Sequence, residues 1–484
     1  MNFAKPAFLV FLTLVLLVTL AMRSPRHRKQ FLLAASYLFY GTWNIPFIGL
    51  ILFSTSIDYW LSKAISTSQD VVRKRQLLHL GIVVNLTILA IFKYCNFFVD
   101  SINASWHALH LHGTILQHFN LLLPLGISFY TFEAISYLTD VYRGEAPARS
   151  FADYNFYIMY FPHLISGPIV RYRELADQMK DGIFFSLKSV RKGCELIILG
   201  LVYKLLIADT VSGIADPVFQ NPYTANITST YLAWAAFTAQ IYFDFMGYTH
   251  IARGVSLLFN IELPLNFNHP YSAANISDFW QRWHISLSRW IRDYLYIPLG
   301  GSRGSSLRTS FNLLTTMTIA GAWHGAGWAF IIWGAYHGLL LLSYHLLEPA
   351  RKHWRNIASS NGFASNIYAW SSSFTTFICA AYGWIWFRSA DSRAALTMTS
   401  KLFRINGLVS EQSHAILQNG DYGAVATFCL LLAVSTGGPL AVRLYNSTFP
   451  RLPHSIKVQA ATAAVVLCYI CAGSESKPFI YFQF

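Results

Sequence analysis

The sequence predicts an all-α polytopic membrane protein with about 11–13 membrane segments, re-entrant ones included. Three observations predict it. Of the 484 residues, 54% are hydrophobic and 12% charged, about half the charged share of an ordinary soluble domain, and the mean hydropathy is +0.39. The apolar residues collect in runs near the length that crosses a bilayer. The 36 Lys and Arg residues, source of a net charge of +14, fall in short clusters between those runs, as the positive-inside bias requires. Nucleic acid is therefore a poor explanation of the basic balance.

Taken in order, the run 7–22 follows a single Lys5 and is read as the first membrane helix. No small-residue cleavage site follows it, and Arg23, Arg26, Arg28 and Lys29 come directly after, which argues against a signal peptide. Further runs lie near 30–43, 45–62, 78–98 and 120–142. The stretch 155–170 is broken by Pro162, Gly167 and Pro168 and reads as re-entrant. Non-helical backbone at membrane depth is tolerated only inside protein or along a wet cavity, so the break marks a candidate ligand path. Later runs lie near 188–208, 230–250, 311–323, 328–346, 366–387, 423–441 and 457–472. Basic clusters at 23–29, Arg73 to Arg75, Arg143 with Arg149, Arg171 with Arg173, and 282–308 belong in the cytoplasm. The loops 99–119 and 209–229 contain no Lys or Arg and belong outside, with the N-terminus. Past residue 388 the bias weakens. No repeat and no linker is visible, so residues 1–484 read as one membrane-embedded domain with its core motifs in 120–345.

Chemistry concentrates in two stretches. In NISDFWQRWHISLSRWIRDYLYIPLGGSRG, Asn275 to Gly304, Ser277 or Asp278 can cap a helix. Phe279, Trp280, Trp283, Leu287, Trp290, Ile291 and Tyr294 recur at three- and four-residue spacings, and Pro298 ends the run. Arg282, Ser286, Arg289 and Asp293 take the opposite face, which predicts an amphipathic helix along the cytoplasmic interface. His284 falls on the apolar side and should be buried, either as a satisfied core residue or as a functional group. In the second stretch, Asn312 to Leu341, the small residues around Ala322, Trp323, His324 and Gly325 interrupt an apolar run and predict a break. An imidazole at membrane depth is costly and is a functional candidate. It can take a proton from a hydroxyl that attacks an acyl carbonyl. The competing reading is a histidine bonded to a backbone carbonyl that the break releases. His337 is a weaker rival within a continuous helix pattern.

Soluble-enzyme motifs are missing: no HExxH and no GxxxxGK[ST] occurs. The GxSxG match at Gly300 to Gly304 has no strand before it or helix after it and is read as chance. The six cysteines form no metal-binding or secreted framework, and Cys468 with Cys471 reads as two apolar side chains one helical turn apart. A transporter or flippase of acylated sugars is the alternative, because Glu133, Asp140 and Asp244 stand in apolar surroundings. Matching Gly- or Pro-broken segments in two halves, usual in transporters, are absent.

At FWQRWHISLS (Phe279 to Ser288) and AWHG (Ala322 to Gly325) the chain resembles the membrane-bound O-acyltransferase family, in its branch of alginate O-acetylases. LPLGISFYTFEAISYLTDVYRG, YFPHLISGPIVR, GLVYKLLIAD, QIYFDFMGYTHIARG, LPLNFNHPY, WIWFRSAD and the terminal FIYFQF are similar too. Glu133, Met246 and His250 stand where the branch more often has Gln, Ser and Asp. The resemblance implies a ring of helices around a central tunnel, with His324 as the catalytic histidine and His284 as its second polar partner. It implies transfer of an acetyl or short acyl group for O-acetylation of an exopolysaccharide such as alginate; peptidoglycan, cellulose, a teichoic polymer or a lipid are the other acceptors. No cofactor is expected to be bound. The donor, acetyl-coenzyme A or an acyl carrier protein, would come from the cytoplasm, where Arg282, Arg289, Arg292, Arg303 and Arg308 suit a phosphorylated partner. Trp323, Arg282, Arg289 and Asp278 are candidates for donor or tunnel binding. A periplasmic acetyltransferase partner and a bacterial inner-membrane location complete the expectation.

Overall fold

The computed structural model describes residues 3, 6–111, 113–165, 167–359, 362–404 and 453–471, with the isolated positions 437, 443, 447, 448, 477, 479 and 480. Among these the secondary structure is helical, and no strand occurs. The expected run 423–441 and most of the terminal FIYFQF lie outside the described residues. Backbone contacts group the chain into two compact units, Met1–Ile197 with Tyr248–Pro264, and Ile198–Gly247 with Leu265–Phe484.

Among the described residues, three helical stretches are long and apolar enough to cross a bilayer: Val71–Ala108, Leu187–Gln220 and Trp328–Leu346. Pro6–Ala21 and Ser455–Cys468 are shorter apolar helices. Large apolar side chains stay outward, Leu14 58% exposed, Leu38 65% and Trp60 69%, as lipid rather than water permits. Cys468 is buried, at 1% exposure.

The two long stretches explain why the loops expected at 99–119 and 209–229 begin as helix, the first to Ala108 and the second to Gln220. Each continues through a wide π turn, Ala90–Tyr94 into Cys95–Ala108 and Val202–Ala208 into Asp209–Gln220. At a π turn one extra residue enters the helix without ending it. In the first unit the 155–170 stretch is broken as predicted: Phe151–Met159 ends at Tyr160, and a single turn, Phe161–Leu164, follows. It is pinned from inside. His163 Nδ1 lies 3.1 Å from Glu133 Oε1, His163 Nε2 is 2.9 Å from the Tyr157 carbonyl, and Glu133 Oε1 accepts the Val170 N–H. Glu133 therefore sits beside a buried imidazole.

The second unit holds a tight hairpin of Ser306–His324 and Trp328–Leu346. The helices approach at glycines. A Cβ on Gly321 would run into the Phe330 carbonyl and lie 2.8 Å from Gly334 Cα. Gly321→Ala is expected to cost about 1–3 kcal/mol through overpacking, read as a lower thermal midpoint in detergent and a fall in activity.

Candidate active site

The hairpin turn presents His324. The Ser306–His324 helix stops there because Gly325 is extended, at φ −160°, and the next helix starts only after Gly327. The predicted break is present, and the imidazole closes the first helix at 5% exposure. Three rings wall it edge-on: Trp323 at 4.9 Å, Trp333 at 5.1 Å and Phe387 at 5.2 Å between centroids. Phe387 comes from the Gly362–Arg388 helix.

The other stretch departs from expectation. Asn275 to Gly304 is not one amphipathic helix but two short ones, Ile276–Arg282 and Ile285–Ile291, followed by a π turn, Arg292–Tyr296. The cap is Asn275, whose side chain accepts the Asp278 N–H, rather than Ser277 or Asp278. The break falls on His284, which is left-handed at φ 44°, ψ 56°. A non-glycine residue there carries a backbone cost of roughly 1–2 kcal/mol and persists only when its surroundings over-determine it. They do. The Ile285 N–H donates to the Asn266 carbonyl and the Asn268 N–H to the Arg282 carbonyl.

Asn266, fully buried, completes the seat. Its Oδ1 receives the Ser286 N–H at 3.2 Å, the Ser286 hydroxyl at 2.9 Å, and His284 Nδ1 at 3.1 Å. A backbone N–H can only donate, so the atom facing it is the amide oxygen, and Nδ1 must carry the proton. Nε2 of His284 is thereby the basic nitrogen. The break also turns Ser286 inward, 6% exposed, correcting its expected place on the polar face.

Asp278 and Arg282 remain on the outer side, bonded to each other at 2.7 Å, and Arg289 is exposed. His269, partly buried and near Arg282, is held below the usual imidazole range by burial first and by that guanidinium second. Arg292 pairs with Asp293 at 2.7 Å. The cluster keeps a basic outer face able to meet phosphate groups.

Between the walls of the two histidines runs a relay of rings. Trp283, next to His284, meets Trp384 at 4.6 Å, and Trp384 meets Trp333 at 5.9 Å. Trp384 Nε1 donates to the Tyr271 hydroxyl, which donates to the Thr238 carbonyl. Phe245 stands edge-on to His284 at 4.7 Å. Sequence reasoning missed Asn266, Phe245 and Trp384 as parts of the site. Asn266 lay within LPLNFNHPY, but a polar residue 18 positions before its partner has no local spacing to betray it.

The carboxylates behind the transporter alternative have partners. Asp244 meets Lys204 at 2.6 Å, Lys204 meets Asp209 at 2.8 Å, and Asp140 lies 3.7 Å from Arg143. Asp244 also accepts the Ile480 N–H at 2.7 Å. Such pairing is what burial of charge demands.

Residues 68–383 match the model of MBOAT, the membrane-bound O-acyltransferase family. The chain is 37% identical over 520 residues to a probable alginate O-acetylase AlgI of Azotobacter vinelandii, covering 100% of both chains. It is 40% identical over 438 residues to the protein of the same description in Pseudomonas aeruginosa, covering 90% of this chain and 81% of the relative. It is 35% identical over 508 residues to a peptidoglycan O-acetyltransferase of Helicobacter pylori, covering 96% of this chain and 92% of the relative.

Proposed function

The chain belongs to the membrane-bound O-acyltransferase family, and on that footing we propose that it moves an acetyl group from a cytoplasmic donor for O-acetylation of an exopolysaccharide such as alginate. The observation that carries the site assignment is the buried imidazole of His324 at the interruption of an apolar hairpin. His324 acts as general base: it takes the proton of the attacking hydroxyl as that oxygen bonds to the acyl carbon. The carbon–sulfur bond of the thioester breaks, and the proton passes to the departing thiolate. His284 positions donor or intermediate, with Asn266 holding its ring. Trp323 forms part of the wall. Arg282, Arg289 and Asp278 meet the donor, acetyl-coenzyme A or an acyl carrier protein, and no bound cofactor is required.

The protein is a membrane enzyme, and its basic clusters support the bacterial inner membrane as the location, with the N-terminus outside. A periplasmic acetyltransferase partner would receive the acyl group and pass it to the polymer. Peptidoglycan is the second acceptor, favoured by the high coverage of the Helicobacter relative.

Mass spectrometry of envelope polysaccharide from a deletion strain tests the proposal. The expected result is loss of acetyl ester from an exopolysaccharide, restored by the gene on a plasmid. Loss from peptidoglycan alone would move the assignment to that polymer, and unchanged esters would remove acetyl transfer altogether.

A further inference from the structure

One face of the same hairpin carries a buried imidazole that the proposed chemistry does not use. His337, at 0% exposure, sits in the Trp328–Leu346 helix. It packs edge-on to Trp280 at 5.1 Å and to Trp333 at 5.0 Å, and parallel to Phe279 at 6.3 Å. Both of its ring nitrogens lack a hydrogen-bond partner among the described residues, and so do Nε1 of Trp280 and Nε1 of Trp333. Four orphaned polar atoms in one aromatic cage are uncommon, because buried donors and acceptors in folded proteins find partners. Leaving them unpaired costs the full desolvation of each group. Two of the four come close together at Gly383, where a Cβ would lie 2.7 Å from His337 Nε2 and 3.4 Å from Trp333 Nε1. Trp333 is shared with the catalytic wall, since its other neighbour is His324 at 5.1 Å.

The inventory of the cage defines what fits it. Two indoles offer donors only, and a neutral imidazole offers one donor and one acceptor. Counted together, the four unpaired atoms offer three N–H donors and one acceptor, a set that a cation cannot satisfy. A neutral group with an acceptor oxygen and a donor hydrogen satisfies them.

We propose that His337, Trp280 and Trp333 form a polar subsite beside His324 for such a group of a substrate, either an amide in the arm of the thioester donor or a hydroxyl of the acceptor. The proposal rests on the acetyl-transfer reading above and deepens it. His337 binds; it does not take the reaction's proton.

Two variants test it in the full-length protein. His337→Phe keeps a ring of similar size and deletes both nitrogens. Trp280→Phe deletes one indole N–H and leaves His337 in place, and it carries the test if the first variant does not accumulate in the membrane. Two readouts are taken: acetyl ester on the polysaccharide of the complemented deletion strain, and the thermal shift that S-acetylpantetheine gives the detergent-purified protein. Each variant is expected to lose about tenfold or more in esterification, and His337→Gln, which restores a donor and an acceptor, is expected to regain most of it. A pantetheine-induced shift lost together with the ester assigns the donor amide. A shift kept, or absent already in wild type, while the ester is lost assigns the acceptor hydroxyl. Variants within twofold of wild type in esterification overturn the subsite, as does a loss in His337→Phe that Gln does not rescue and Trp280→Phe does not share. If the deletion strain keeps all its esters, the transfer reading fails, and the thermal shift alone then decides for or against the subsite.

Discussion

His324→Gln is expected to lower acetyl transfer by about 10²- to 10⁴-fold, the range a positioned general base contributes, while the protein still accumulates in the membrane. Glutamine is close to imidazole in reach and keeps polar atoms at the end of the Ser306–His324 helix, but it cannot accept the proton of an alcohol. The walls of the site should survive the change. Trp333 and Phe387 hold their places through Trp384, which meets Phe387 at 5.7 Å and Trp333 at 5.9 Å. The loss should therefore appear in kcat more than in the thermal midpoint. The measurement is transfer of radiolabelled acetyl into polymer by membranes with equal amounts of wild-type and variant protein. Full transfer by a folded His324→Gln protein would end the assignment of the base.

The second large effect is expected from Asn266→Ala, a residue that contacts no reacting atom in the proposed mechanism. Its amide oxygen receives three donors, and removing it leaves the His284 ring nitrogen, the Ser286 N–H and the Ser286 hydroxyl without their shared acceptor. Each buried orphan costs about 1–3 kcal/mol. The left-handed turn at His284 keeps its two backbone bonds but loses the side-chain oxygen that holds the ring and Ser286 against it. Activity should fall as far as in His284→Ala. The double variant should be little worse than either single one, because residues that act as one unit are not additive. Asn266→Asp keeps an acceptor for all three donors and should retain part of the activity. A near-wild-type Asn266→Ala protein, or strict additivity with His284→Ala, would show that the seat is not needed.

Much of the architecture was legible from hydrophobic run lengths, because a bilayer demands satisfied backbone and apolar surface over a set thickness. The helices at Pro6–Ala21, Pro25–Gly41 and Pro46–Thr67 appear where the first runs lie. The breaks at 160 and 324 were legible too, from Pro162 and from Gly325 to Gly327, since these residues change what the backbone can do locally. The loops expected at 99–119 and 209–229 start later than the apolar runs suggested, because a π turn adds a residue without ending the helix and leaves no signature in side-chain periodicity.

The sequence by itself determined the solvent, the helical class, the burial of His284 and the presence of a break at His324, all consequences of local composition and spacing. Only the tertiary structure decided that the 275–304 helix is cut at His284. Continuous helix is the local preference there, and it is overridden by Asn266, distant in the chain, which offers one buried oxygen to three donors. It likewise decided that His337 lies in a cage of indoles sharing Trp333 with His324. Hydrogen-bond partners and ring contacts between distant segments depend on how helices meet, and no periodicity along a single segment encodes them.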